Sequence, residues 1–399
     1  MAAGDGDARA DPLKTVRINR KGAGRLASGH PWIFTSDVLD RGGAEGGEAV
    51  RVAGPNGRPL GVAHYSAASQ ITLRLLSREP EPIGKDFFLR RIEAAEQLRR
   101  RVAAGAETYR VVHAEGDLLP ALIVDRYGQY LVVQTLDQGM DRAKAEIVAA
   151  LEALFAPLGI VERNDSAVRR HENLPLVSGL LAGQPPPSLV QVRMNGLLFH
   201  ADLLHGQKTG VFLDQRENYL AAARHAHGRA LDCFTSTGGF ALHIAARCDA
   251  VTAIDSSAAV LEVAERNRAG NGIGNVEFRE ANVFDLLGAE RSAGRRYGTI
   301  VLDPPAFAKS RETVESAARG YKEINLRALQ LLDPGGLLVS CSCSHHVSEA
   351  MLLEIVAEAS LDAGRPLRVL ARRTQAPAHP ILLTVPETHY LKCLILEVL

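Results

Sequence analysis

From Asp214 onward, runs that read as strands alternate with runs that read as helices. RENYLAAARHA has helical spacing and RALDCF reads as a strand, followed by the turn STGG and the helical FALHIAARC. The strand AVTAID precedes the helix SAAVLEVAERNRAGNG, and the strand-like VEFREANVF and YGTIVLDPP precede the helix YKEINLRALQLL. The strand PGGLLVSCSCS, the helix EAMLLEIVAEASLDAG and the strand-like HYLKCLILEVL end the series. Such alternation has few solutions: a mostly parallel sheet with helices on both faces. The fold class is therefore α/β, with a Rossmann-like C-terminal sheet. Any ligand is expected beyond the carboxyl ends of its strands, near the point where strand order reverses.

The upstream half follows a different pattern. Residues 1–12 read as a disordered tail. Residues 13–80 hold short strand-like runs (VRINR, PWIF, GEAVRVAG, PLGVAHY, ITLRLL) parted by Gly-rich turns, the pattern of a small β-barrel-like module. Residues 81–204 read as an α+β middle domain, with an amphipathic helix over Phe87 to Ala103 and another from Met140 to about Leu154. Residues 205–399 form the α/β domain. Lys14, Arg17, Arg20, Lys21 and Arg25 make a basic cluster close to Trp32 and Phe34. It reads either as a phosphate-contacting face beside aromatics or as a solvated surface.

Net charge is zero, so any nucleic-acid contact has to come from local patches. Five cysteines in a long chain do not suggest a disulfide framework. The first residues resemble no signal peptide, and the longest apolar stretch, Ile147 to Val161, is interrupted by Glu152 and Pro157. A soluble, cytoplasmic protein is expected, with no membrane partner.

The first α/β strand runs into Asp232-Cys-Phe-Thr-Ser-Thr-Gly238-Gly239-Phe240, where two glycines let a ligand approach the backbone. The next ends at Asp255, 17 residues past Gly238, where an acid can accept from ribose hydroxyls. Asn282 is placed to meet an adenine edge and Val283 to pack on its ring. A dinucleotide fold shares this layout but normally carries Gly-x-Gly-x-x-Gly to cradle a diphosphate. The loop here lacks it, and an acid at Asp232 suits a cationic ligand such as S-adenosylmethionine better.

Asp303-Pro304-Pro305-Ala306-Phe307 decides between them. A flipped base needs a stacking surface and an acceptor for its exocyclic amine. Asp303 supplies the acceptor; Pro304, Pro305 and Phe307 supply the surface. Carbon 5 of cytosine becomes nucleophilic only after a thiolate adds at carbon 6, so a C5 enzyme needs a cysteine at the same mouth. Cys341 and Cys343 share a strand face, and Cys343 lies nearer the carboxyl end. It is the candidate nucleophile, with Asp303 as the second catalytic residue. Metal binding by Cys341, Cys343, His345 and His346 is disfavoured, because their spacing fits no familiar zinc knuckle.

Leu204-His-Gly-Gln207-Lys208-Thr209-Gly210-Val-Phe212-Leu-Asp214-Gln-Arg216 resembles a signature of the RlmI-like 23S ribosomal RNA (cytosine-C5) methyltransferases. So do the Phe234–Gly239 loop, the Asp303 corner, Arg319-Gly-Tyr321-Lys322-Glu-Ile-Asn325 and Ser342-Cys343-Ser344. His30-Pro31-Trp32-Ile-Phe34, Ser66 to Ile71 and Leu119 to Gly128 extend the likeness over nearly the whole chain. The resemblance implies an N-terminal PUA domain, a middle domain and a class I methyltransferase domain. It also implies S-adenosylmethionine contacts at Gln207, Lys208, Thr209, Gly210, Asp214, Phe234, Gly238, Gly239, Asp255, Ser256, Asn282, Val283 and Asp303. Cys343 takes the role of nucleophile in it. The chain departs from the family pattern at Ala306, Asn282 and Cys341.

The implied partner is RNA, 23S ribosomal RNA first, with Lys14, Arg17, Arg20, Lys21, Arg25 and Trp32 as contacts; a homodimer stays open. Three alternatives remain. One is an rRNA purine N-methyltransferase using the Asp303 corner without a thiol. The others are a non-catalytic SAM- and RNA-binding assembly factor and an NAD-dependent oxidoreductase.

Overall fold

Asn19 sets the first departure from the strand pattern. Its side-chain oxygen accepts from Gly22 N (2.8 Å), a helix N-cap, so VRINR is half strand and half helix start. The computed structural model of the chain describes residues 13–206, 208–308 and 311–399. The expected tail at residues 1–12 and the candidate Gln207 lie outside the described residues.

The first unit comprises β1 (Thr15–Ile18), α1 (Arg20–Ala27), β2 (Trp32–Phe34), β3 (Val38–Asp40), β4 (Ala49–Ala53), β5 (Pro59–Tyr65) and β6 (Ile71–Ser77). These strands make one six-stranded sheet in the order β2-β6-β5-β4-β1-β3. Val16, Ile18, Val50, Val52 and Leu73 alternate inward to form its core.

The second unit opens with α2 (Lys85–Val102), which has Asp86 in its first turn and Arg99, Arg100 and Arg101 in its last, as the helix dipole favours. β7 (Thr108–His113), β8 (Leu122–Tyr127), β9 (Tyr130–Thr135), α3 (Gln138–Arg142), α4 (Lys144–Phe155), β10 (Gly159–Asn164) and β11 (Val177–Gly183) follow. The sheet order is β11-β10-β9-β8-β7. The single helix expected from Met140 is thus two, and the first is capped by Asp137 accepting from Met140 N (2.7 Å). The hairpin of β12 (Val190–Met194) and β13 (Leu197–Ala201) precedes the sequence boundary at 204. It nevertheless packs on the C-terminal unit: Phe199 and Val192 share a core with Leu242 and Ile244.

The third unit is built from α5 (Arg216–Ala223), β14 (Arg229–Cys233), α6 (Gly239–Ile244), β15 (Ala250–Asp255), α7 (Ala258–Gly270) and β16 (Val276–Glu280). It continues with α8 (Val283–Ser292), β17 (Tyr297–Leu302), α9 (Val314–Leu331), β18 (Leu332–Ser342), α10 (Glu349–Ala363), β19 (Leu367–Thr374) and β20 (Lys392–Val398). The seven strands lie in the order β16-β15-β14-β17-β18-β20-β19. The first five are parallel, and β20 enters antiparallel between β18 and β19. Every residue of β17 is buried, as expected for a parallel strand covered on both faces. The Rossmann-like α/β class read from the sequence is the fold observed. VEFREANVF is corrected: its strand stops at Glu280 and Asn282 caps α8.

Arg99 fastens the second unit to the third. Its guanidinium is fully buried, pairs with Asp117 through both terminal nitrogens, and donates to Ala378 O (2.8 Å) and Arg110 O (2.9 Å). Removing it leaves the buried Asp117 carboxylate without its cation, with the His113 N–H (2.6 Å) still donating to it. Arg99→Ala is expected to cost about 3–5 kcal/mol, read as a lower urea midpoint for loss of the helix signal.

Candidate active site

β14 leads by crossover to β15 and β16 on one side, while β17 leads to β18 on the other, so strand order reverses between β14 and β17. Their ends are level: Cys233 pairs with Leu302, and Asp303 N donates to Cys233 O (3.3 Å). Such a crevice is where open α/β sheets bind ligands.

The loop after β14 turns sharply. Phe234 (φ 65°) and Ser236 (φ 49°) sit in the left-handed region, and Gly238 (φ 88°) follows. The two non-glycines are strained by roughly 1–3 kcal/mol each. Asp232 holds them: its Oδ2 accepts from Thr235 Oγ1 (2.6 Å) and Ala241 N (2.9 Å). Asp232 itself lies buried behind the loop and does not line the cavity there. Gly239 must lack a side chain, because a Cβ there would come within 2.5 Å of the Tyr219 ring.

Asp255 closes β15. Its Oδ2 accepts from Ser236 N (2.9 Å) and its Oδ1 from Ser257 N (3.1 Å), which leaves each oxygen a further lone pair. Together these groups wall a cavity of about 430 Å³. Phe234, Gly239, Asp255 and Ser256 line it together with Tyr219, Phe212, Lys208, Asp214, Asp303, Pro304, Pro305 and Cys343.

Cys343 lies one residue beyond the end of β18, half-buried, with Sγ 4.0 Å from Pro304 O. The other four cysteines are buried. Tyr321 anchors the turn that carries it: Ser342 Oγ donates to Tyr321 OH (2.9 Å), which also bonds Ser344 Oγ (3.0 Å). Gln215 Nε2 donates to Asp303 Oδ1 (3.0 Å) and is itself oriented by Asn218 (2.7 Å). Asp214 is fixed by Lys208 Nζ (2.7 Å) and Tyr390 OH (2.8 Å).

Burial and the neighbouring Asp214 push the Asp303 carboxyl up to about 7, against Lys208 and the Gln215 hydrogen bond. Burial also raises Asp232 to about 7. The Cys343 thiol is pushed up by burial, Asp303 and Asp214, and drawn down by Lys208 and Lys392. The site thus keeps acids near neutrality and holds a thiol among opposing charges.

A wider cavity of about 760 Å³ shares the Lys208–Asp214 wall and lies where all three units meet. Trp32 contributes from the first unit, Arg110, Glu115 and Arg163 from the second, Tyr390 from the third.

Several candidates fall elsewhere than the sequence suggested. Thr209 faces the wider cavity, bonded to Asp125 Oδ2 (2.6 Å) and Tyr127 OH (2.9 Å). Gly210 (φ 147°) backs onto the Tyr127 ring, and Gly238 backs onto Phe278 and Leu242. Asn282 Oδ1 is spent on capping α8 through Phe284 N (2.9 Å), and Val283 is buried in the core, so neither walls the cavity. Phe307 turns inward onto Tyr321, ring centroids 4.7 Å apart, leaving Pro304 and Pro305 as the surface at that corner.

The basic cluster is largely neutralised by acids later in the first unit: Lys14 by Glu45 and Glu48, Arg17 by Asp40, and Arg25 by Asp37. Arg20 and Lys21 remain exposed on α1. Trp32 Nε1 donates to Glu115 (2.9 Å). Sequence reasoning missed Gln215, Tyr219 and Lys392. Gln215 stood next to a chosen residue, Asp214; nothing local marked the other two.

Residues 16–78 match the family model of a PUA-like domain, and residues 117–393 match that of an S-adenosylmethionine-dependent methyltransferase. Ribosomal RNA large subunit methyltransferase I of Escherichia coli O139:H28 is 38% identical over 371 residues, spanning 91% of this chain and 94% of that protein. The protein of that name from Yersinia pseudotuberculosis serotype O:1b gives the same figures. A solved Streptococcus mutans structure assigned as a SAM-dependent methyltransferase superposes with a TM-score of 0.83 over 97% of this chain and 100% of that one. At 20% identity, it shows the shared fold.

Burial of four cysteines makes a direct check available. Iodoacetamide is expected to modify one thiol in the folded protein, at Cys343, and all five after denaturation, as read by peptide mass spectrometry.

Proposed function

The chain belongs to the S-adenosylmethionine-dependent methyltransferases, within the family of ribosomal RNA large subunit methyltransferase I, and from that premise we propose that it methylates carbon 5 of a cytosine in 23S ribosomal RNA through Cys343. One observation carries the reading. The one thiol that is not fully buried lines the same cavity as Asp303 and Asp255.

S-adenosylmethionine is the cofactor, and it supplies an electrophilic methyl group on a cationic sulfur. The cavity suits it. Its volume lies within the ~300–1,000 Å³ usual for small-molecule sites. Asp255 offers free lone pairs to ribose hydroxyls, and Asp214 and Asp303 favour a positive charge. The residues proposed to hold it are Lys208, Asp214, Phe234, Gly239, Asp255, Ser256 and Asp303, with Gly238 shaping the loop.

The target base stacks on Pro304 and Pro305. A carboxyl that titrates near 7 is partly protonated at neutral pH. Its O–H then donates to cytosine N3 while its carbonyl accepts from the N4 amine, so Asp303 both reads the base and eases electron flow toward N3. The Cys343 thiol gives its proton to water. The sulfur adds to C6, and the electron pair released makes C5 the nucleophile that takes the methyl. Loss of the C5 proton to water then breaks the C6–S bond and restores the thiolate. The RNA approaches through the wider cavity, beside Trp32, with exposed Arg20 and Lys21 available to its backbone.

Ribosomal RNA in which cytosine is replaced by 5-fluorocytosine tests this. Fluorine cannot leave as a proton, so a SAM-dependent adduct stable to denaturation is expected, and Cys343→Ala should lose it. Methyl transfer to ordinary RNA without an adduct would replace this reading with nitrogen methylation at the Asp303 corner.

Asp303→Asn keeps a donor and an acceptor but cannot pass a proton. It is expected to retain RNA binding in filter assays while slowing methyl incorporation by about 10²–10⁴. The wild-type single-turnover rate should climb with pH as the Cys343 thiol ionises and level off above about 7, where Asp303 loses its proton. The variant should keep climbing through that range.

A further inference from the structure

Lys392 is buried, with 2% of its surface exposed, at the start of β20 and directly opposite Ser342 in the sheet register. Its Nζ donates to Ser344 O (2.7 Å) and Tyr390 O (2.8 Å). Among the described residues no carboxylate lies within ion-pair distance of it. A buried ammonium held only by carbonyls is costly, so its place in the fold calls for a compensating charge. The Ser344 carbonyl ties it to the turn that presents Cys343.

Four charged groups bear on that sulfur: Asp303 from the end of β17, Asp214 and Lys208 from the segment before α5, and Lys392 from β20. Both acids oppose a thiolate. Lys208 is already committed to Asp214 at 2.7 Å. Its charge at the sulfur is largely offset, which leaves Lys392 as the uncompensated cation. His345 packs on Tyr390 (5.7 Å) and has its pKa lowered by burial and by Lys392, so it adds little positive charge.

We propose that Lys392 is the counter-charge of Cys343, a positioning residue that favours the thiolate and fixes the turn carrying it. The proposal rests on Cys343 being the nucleophile. Burial lowers the lysine to about 8 and the Cys343 charge draws it back up, in keeping with a coupled pair.

The test is the pH profile of iodoacetamide modification of Cys343 in the full-length protein, followed by peptide mass spectrometry. Lys392→Met keeps the volume and removes the charge. It is expected to raise the midpoint by about one pH unit and to slow modification at pH 7.5 about tenfold, while Lys392→Arg stays near wild type. A purely structural role would change the plateau rate at high pH and leave the midpoint in place, which would overturn the proposal.

If Lys392→Met does not fold, the reciprocal measurement serves. Coupling is mutual, so the Lys392 titration, followed by ¹³Cε NMR, should shift down in Cys343→Ala; an unchanged titration would overturn the proposal. The fluorocytosine adduct separates the two readings. An adduct with an unmoved profile removes Lys392 alone, and a moved profile without an adduct removes the nucleophile reading.

Discussion

Two carboxyl groups stand at the ends of adjacent central strands, in surroundings that raise both toward 7. Ionised acids so placed cannot be left without partners. Much of the site can be understood as a response to them. Thr235 and the start of α6 bind Asp232, and in doing so bend the loop into the left-handed conformations that open the cavity. Gln215, braced by Asn218, binds Asp303. Lys208 and Tyr390 bind Asp214, the third acid in the group. A cationic ligand completes this arrangement as a phosphate could not.

The α/β half was legible because buried parallel strands read as continuous apolar runs bounded by turn residues. The acids at the strand ends were legible for the same reason: once β14, β15 and β17 are placed, Asp255 and Asp303 follow. What was hidden depended on partners distant in sequence. Asn282 looked like a strand-end ligand because nothing in VEFREANVF announces that its oxygen will cap a helix. The basic cluster looked unopposed because Asp37, Asp40, Glu45 and Glu48 reach it only after the chain folds back. Lys392 appeared as one polar residue in an apolar strand, and its meaning arises from the pairing with β18.

The three units are joined by polar locks around shared cavities. Arg99 binds the second unit to the Ala378 carbonyl, and Trp32 of the first unit donates to Glu115 of the second. Thr209, just before the catalytic unit, is held by Asp125 and Tyr127. The wall common to both cavities is therefore supported from two sides.

β20 is inserted between β18 and β19, both of which precede it in the chain. A ribosome therefore delivers the middle strand of this trio after its two neighbours. Until it arrives, the sheet has a slot with unpaired backbone on both sides, a template for unwanted strand pairing. The same insertion brings Lys392 to the turn that carries Cys343. On the nascent chain the thiol is thus made early, and Lys392 reaches the turn that carries it only as the slot closes.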